Sequence, residues 1–149
     1  MTQHQVALAI AQEFFAGFEA RNPEAVGNTL TDDASIIIKL DLAGTPNPWY
    51  AFEGKDHVLA YIASVAAKFD RVEFLDKEWT VANDGTAVFL QTNGDILSTA
   101  ENLDYKNVYV FKVELVDGKV KRVLEYANPV TYANLGITNS EAEDAAQAG

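Results

Sequence analysis

Tyr105-Lys106-Asn107-Val108-Tyr109-Val110-Phe111-Lys112-Val113, then Val116-Asp117-Gly118-Lys119, then the return from Val120 to Pro129, form the stretch that decides how this chain folds. Residues 104–116 and 119–128 alternate as strands do, and Asp117-Gly118 is a hairpin turn signal. Side chains alternate faces along a strand, so Tyr105, Asn107, Tyr109, Phe111 and Val113 share one side. On the return, Lys121, Val123, Glu125 and Ala127 share a side, opposite Arg122, Leu124 and Tyr126. The turn decides which sides meet. A two-residue type I′ loop sets Val110 opposite Glu125, whereas a three-residue loop with Gly118 left-handed sets Tyr109 there. Asp-Gly permits both. The second is favoured here because it gathers Asn107, two tyrosines and Glu125 on one surface.

Polar groups on a face that also carries Phe111, Val113 and Val123 suit a pocket wall better than a dry core. A carboxylate there needs partners, or its pKa rises. The same alternation also fits Glu125 on the outer face in a surface ion pair.

Upstream, Thr2 and Gln5 have capping-box spacing, and Val6, Ile10, Phe14 and Phe18 recur every fourth residue, widened by Phe15. Asn22-Pro23 starts a second short helix. Three consecutive isoleucines make 35–40 a strand, with Asp32-Asp33 a solvated connector before it. Residues 43–54, with two prolines, two glycines, Trp49, Tyr50 and Phe52, read as an ordered loop. Asp56 caps a third helix whose buried side is Val58, Ile62, Val65 and Phe69. Strands at 71–82 and 86–98 precede the hairpin, with a bulge or kink expected at Asn93-Gly94.

The order predicts an α+β domain: a curved, mostly antiparallel sheet wrapped around three helices as a cone with an interior pocket. Residues 1–138 form the domain, and 139–149 an acidic tail expected to fray. A homodimer is expected through the outer sheet face, where Val108, Val110, Leu124 and Tyr126 are otherwise exposed.

The 149 residues suit one domain, with 48% apolar and 11% aromatic residues enough for a core. A net charge of −11 disfavours nucleic acid and anionic lipid partners. Without cysteine there is no disulfide or thiolate metal site. His4 and His57 show no ligand spacing, so no metal is expected. No secretory leader or membrane span is legible, which places the chain in the cytoplasm as an expectation.

Tyr-x-Asn-x-Tyr at 105–109, Val-Asp-Gly-Lys-Val at 116–120, Glu-Tyr-x-Asn-Pro at 125–129 and Leu135-Gly136 resemble the SnoaL-like family. This is the polyketide-cyclase and ketosteroid-isomerase-like group of cone-shaped domains, and the closing segment is most similar to its phenazine-biosynthesis A/B type members. The resemblance implies that Glu125 lies inside the cavity as an acid/base. On the third helix those relatives carry a histidine and then a small hydroxyl residue, where this chain has Tyr61 and Val65. The relatives' substrate is therefore not expected to carry over.

The functional expectation is a cofactor-independent isomerase or cyclase acting on a small apolar or aromatic ring compound. Glu125 would be the acid/base. Tyr105, Asn107, Tyr109, Tyr61, Trp49, Tyr50, Phe14, Phe18 and Val123 would contact the ligand. One alternative is a binding module with the same cavity and no chemistry. A weaker one is an epoxide-hydrolase-like enzyme, for which Arg71, Arg122 and the available acids form no evident Asp–Arg–Asp set.

Overall fold

The computed structural model describes residues 1–147. In chain order they form α1 (Gln3–Glu19), α2 (Pro23–Gly27), β1 (Leu30–Ile38), β2 (Tyr50–Glu53), α3 (Lys55–Lys68), β3 (Arg71–Val81), β4 (Ala87–Ser98), β5 (Leu103–Val116), β6 (Lys119–Ala127), α4 (Pro129–Ala133) and α5 (Glu141–Ala146). The sheet order is β2-β1-β6-β5-β4-β3, so the six strands form one curved, unclosed sheet. All neighbouring pairs are antiparallel except β1 with β6. The expected α+β cone stands, with one more strand and two more short helices.

Local chemistry explains most boundaries. Thr2 and Gln5 make the reciprocal capping box of α1, and Asn22 caps α2 with Pro23 at its first position. α3 departs from expectation, because its N-cap is Gly54 at φ 95° and Asp56 lies in its first turn. The buried stripe of α1 is Ala7, Ala11, Phe14, Phe15 and Phe18, rotated by about one residue from the expected stripe, with Val6 and Ile10 on its flanks. Phe15 is the hub of the sheet core. Its ring lies 4.8 Å from Phe111, 5.8 Å from Phe74 and 5.8 Å from Trp79. Burying such a ring contributes roughly 1.5–3 kcal/mol relative to exposure.

β1 begins at Leu30, so Asp32 and Asp33 belong to a strand and not to a connector. Their carboxyl groups face water at a register irregularity between Leu30 and Ser35, and Lys121 pairs with Asp33. Within the stretch read as a loop, Tyr50–Glu53 adds an edge strand along β1. β4 runs without interruption through Asn93-Gly94 against β5. The bulge lies across from it on β3, between Leu75 and Glu78, where Asp76 has φ 54°. Gly94 serves another purpose: a Cβ there would run into the Tyr109 ring.

The hairpin solves its register in a way neither simple option described. Asp117 (φ 51°) and Gly118 (φ 73°) form a two-residue turn with both φ positive, the type I′ requirement, and Val116 pairs with Lys119. The register then shifts between Leu115 and Glu114, leaving Lys121 as an extra residue on β6. As a result Phe111, and not Val110 or Tyr109, lies opposite Glu125. The shift restores the parity that puts Glu125 on the side of Tyr105 and Tyr109, and it turns Lys121 away from that side.

The last segment also differs from expectation. Ser140 and Glu143 form a second capping box that starts α5, and Tyr50 bridges to Gln147, so residues through 147 are docked and not frayed. Residues 148–149 of the expected tail lie outside the described residues.

Gly94→Ala tests the close packing of Tyr109. Forcing the ring off its seat should cost about 1–3 kcal/mol in denaturant unfolding. An unchanged midpoint would show that Tyr109 is free to move aside.

Candidate functional site

The cavity lies between the inner face of the sheet and α3. Its volume is about 70 Å³. Its floor comes from β5 and β6, where Tyr105, Tyr109, Glu125 and Ala127 line it. α3 contributes Tyr61, Ser64, Val65 and Lys68, and the β2 edge contributes Trp49 and Tyr50.

β6 is an interior strand, so the position of Glu125 is fixed from both sides. Its Cα pairs with Ile38 on β1 and with Phe111 on β5, and its carbonyl accepts from Lys39 N–H at 3.0 Å. Burial alone pushes the Glu125 carboxyl up to about 7. No cation contributes to that shift, and none offsets it. The residue still keeps partial solvent access, because the cavity opens onto it.

Next to it stands a pair of phenols. Tyr105 and Tyr109 are 5% and 6% exposed, and their hydroxyl oxygens are 3.2 Å apart. Asn107 Nδ2 donates to the Tyr105 oxygen at 2.7 Å and to the Asn128 carbonyl at 3.0 Å. Two phenols sharing one hydrogen bond leave one O–H proton unspent, whichever of them donates. Burial raises the pKa of both, well above the usual tyrosine value for Tyr109, so both remain neutral donors. Tyr61 is likewise raised by burial, with the Glu125 charge adding to it, and its ring stacks on Phe52 at 4.2 Å.

A second polar group sits at the cavity wall near the C-terminal helix. Glu143, 4% exposed, pairs with Lys68 and accepts from the Tyr132 hydroxyl at 3.1 Å. Ser140 adds its backbone N–H and its hydroxyl to the same carboxylate, each at 3.1 Å. Burial works to raise the Glu143 pKa, but Lys68, Ser140 and Tyr132 together outweigh it and hold the carboxyl below its usual value. Tyr132 joins the two polar groups, its ring 5.7 Å from that of Tyr105.

Of the residues expected at the site, Glu125, Tyr105, Tyr109, Tyr61, Trp49, Tyr50 and Phe18 line this cavity. Three do not. Asn107 spends its amide on Tyr105, Asn128 and the Val108 N–H, which accounts for its polar atoms and makes it a clamp for the floor. Phe14 packs edge-on against Phe15 at 5.1 Å in the core. Val123, opposite Val113, is sealed beneath the sheet's inner surface. Lys68, Tyr132 and Glu143 went unforeseen. Lys68 follows Tyr61 and Val65 at helical spacing, and Ser140-x-x-Glu143 is a capping box, so both signals were present. Neither Arg71 nor Arg122 reaches the cavity: Arg71 pairs with Asp95, and Arg122 with Glu114. Among the described residues no cluster of His, Cys, Asp or Glu could hold a metal, and no helix is long and apolar enough to cross a membrane.

Comparison with known proteins agrees with this architecture. The model of the SnoaL-like domain matches residues 11–123. No curated protein matches the chain. A Bacillus subtilis protein provisionally named an isomerase is similar in structure, with TM-score 0.77 and 19% identity over 91% of this chain and 96% of that one. A Xanthomonas campestris protein, provisionally named a polyketide cyclase, gives TM-score 0.72 and 18% identity over 90% and 99%. A phenazine biosynthesis-related protein from Pseudomonas aeruginosa gives 0.70 and 18% over 92% and 86%. At these identities the structural likeness shows the fold. The chain belongs to the SnoaL-like family.

The sign of the Glu125 effect on stability follows from its raised pKa. Between about 4.5, its ordinary value, and about 7, the folded protein keeps a proton that the unfolded chain has released. Stability therefore falls as pH rises through that window, by at most ~3 kcal/mol once above it. Glu125→Gln should match the parent near pH 4 and exceed its stability by up to ~3 kcal/mol at pH 8 in urea unfolding. A difference that does not change with pH would contradict the burial of this carboxyl.

Proposed function

We propose that this SnoaL-like protein is a cofactor-independent isomerase or cyclase acting on a small apolar ring compound. The carrying observation is Glu125: a carboxyl near neutral pKa, in an aromatic cavity, with phenols and no cation beside it. An acid/base works best when its pKa lies near the working pH. Glu125 would take a proton from carbon next to a ring carbonyl and return it at a second position. The unspent phenolic proton of the Tyr105–Tyr109 pair, with Tyr61, would donate to the carbonyl oxygen as it gains charge. Phe18, Trp49 and Tyr50 would hold the ring. The isomerase and cyclase names of the structural neighbours are in keeping with this reading.

One observation favours a second reading, a binding module without turnover. α3 brings no histidine to the cavity, and its one cation there, Lys68, is already paired with Glu143, so Glu125 has no free acid/base partner of ordinary pKa on that wall. Proton exchange separates the two readings. Cyclic ketones incubated with the protein in D2O should gain deuterium next to the carbonyl, followed by NMR. Glu125→Gln should slow this by about a hundredfold or more. Binding without exchange would select the second reading, and equal exchange by the variant would remove Glu125 as the base.

We further propose that a second copy covers the outer sheet face. Val108 is 64% exposed there, with Val110, Phe89 and Tyr126 also open. Light scattering at micromolar concentration should give a dimer, and Val108→Lys should shift it to monomer. A monomeric parent would count against this assembly.

A further inference from the structure

We infer that Lys68 is a receiving site for a ligand carboxylate, which the chain's own Glu143 fills until such a ligand takes its place. This rests on the reading of the cavity as a small-molecule site and adds the substrate class: an apolar ring that carries an acid group.

The first step is a matter of size. A cavity of ~150 Å³ is what it takes to admit benzene in a well-studied engineered case. The cavity here measures about 70 Å³ on a comparable scale. A ring compound therefore needs a wall to move. Most walls cannot move cheaply: β5 and β6 are interior strands, and Val58 and Ile62 of α3 are fully buried.

The exception is α5. It has only six residues and is joined to α4 by the irregular segment 134–140, so it can shift without moving the helix before it. Its packing is slight. Ala142, Ala145 and Ala146 meet Ala51, Phe52 and Ala60 around a crevice of about 40 Å³. Little apolar area is lost when it undocks. Polar contacts do most of the holding: Glu143 with Lys68 and Tyr132, the Tyr50 hydroxyl with Asn139 at 3.2 Å, and the bridge between Tyr50 and Gln147.

The second step is charge. Among the described residues that line the cavity, Lys68 is the only cation. Its side chain is 13% exposed, so withdrawing Glu143 leaves a poorly hydrated ammonium without an anion. A neutral ligand that displaced α5 would leave that charge unpaired, which is costly. A ligand carboxylate replaces like with like, and Tyr132 is in place to donate to it as it donates to Glu143. Glu125 lies on the β6 floor of the cavity and Lys68 on its α3 wall, so the acid group and the reacting centre are held by different elements.

The test uses matched pairs on the full chain: cyclohexanecarboxylate with its carboxamide, and 2-naphthoate with 2-naphthamide, by titration calorimetry at pH 8. Each acid should bind about tenfold or more tightly than its amide, the usual worth of a charge-assisted hydrogen bond. Glu143→Gln should widen the preference by removing the internal competitor. Lys68→Met should abolish it, and so should the Lys68→Met/Glu143→Gln double variant, which leaves no unpaired charge to disturb folding. Amide hydrogens of residues 139–147 should exchange faster with acid bound. Equal binding of acid and amide by the parent, or a preference that survives in the double variant, would overturn the inference while leaving the small-molecule reading intact. Failure of all four compounds to bind would remove both.

Discussion

The site depends on one extra residue in one strand. A type I′ turn alone would set Val110 against Glu125 and send the carboxylate to the outer face. The shift at Lys121 moves the pairing by one residue, so that Phe111 takes that place. Because strand side chains alternate with period two, a single residue decides between a surface acid and a buried one. The bulge sits next to the turn, where local twist is high and a lost ladder bond costs least. It also frees Lys121 for Asp33 on β1. Everything downstream follows from that parity: the phenol pair beside Glu125, the absence of a cation at its carboxylate, and its raised pKa.

The cavity then holds two carboxylates in opposite situations. Glu125 has burial and no counter-charge, and its pKa rises. Glu143 is also buried, yet Lys68, Ser140 and Tyr132 hold it ionised. Carboxyl groups pushed apart in this way are a common basis for dividing roles within one site. Here the first is suited to moving a proton and the second to neutralising a charge. Tyr132 donates to Glu143 and packs its ring against that of the floor residue Tyr105, so it borders both groups.

Much of this was legible in the sequence, and the gaps have physical causes. The antiparallel strands were readable to within about a residue, since alternation is strong where one face is buried. Phe18 and the two floor tyrosines were found because aromatic residues at regular spacing mark an inner face, and Tyr61 because it stands where the relatives carry a histidine. Edge strand β2 was hidden by the prolines and glycines before it, and its four residues are too few to show a period. The hairpin bulge has no sequence signature, so the face of Glu125 was inferred correctly from an incorrect register. Asn107 looked like a ligand contact because polarity on an apolar face suggests one, yet its partners are backbone groups and Tyr105. The tail looked frayed by composition. Its capping box and a single long-range ion pair outweigh that composition, and long-range pairs are what a local reading cannot see.

Glu125 titrates near neutrality because it is buried and no counter-charge sits at its carboxylate. Labelling glutamate side chains with ¹³C and following the Glu125 carboxyl resonance by NMR from pH 3 to pH 9, assigned by its loss in Glu125→Gln, measures this directly. The account requires a midpoint at about 7. A midpoint at or below the ordinary glutamate value of about 4.5 would mean that the carboxylate is solvated or paired, and the site as described would be wrong.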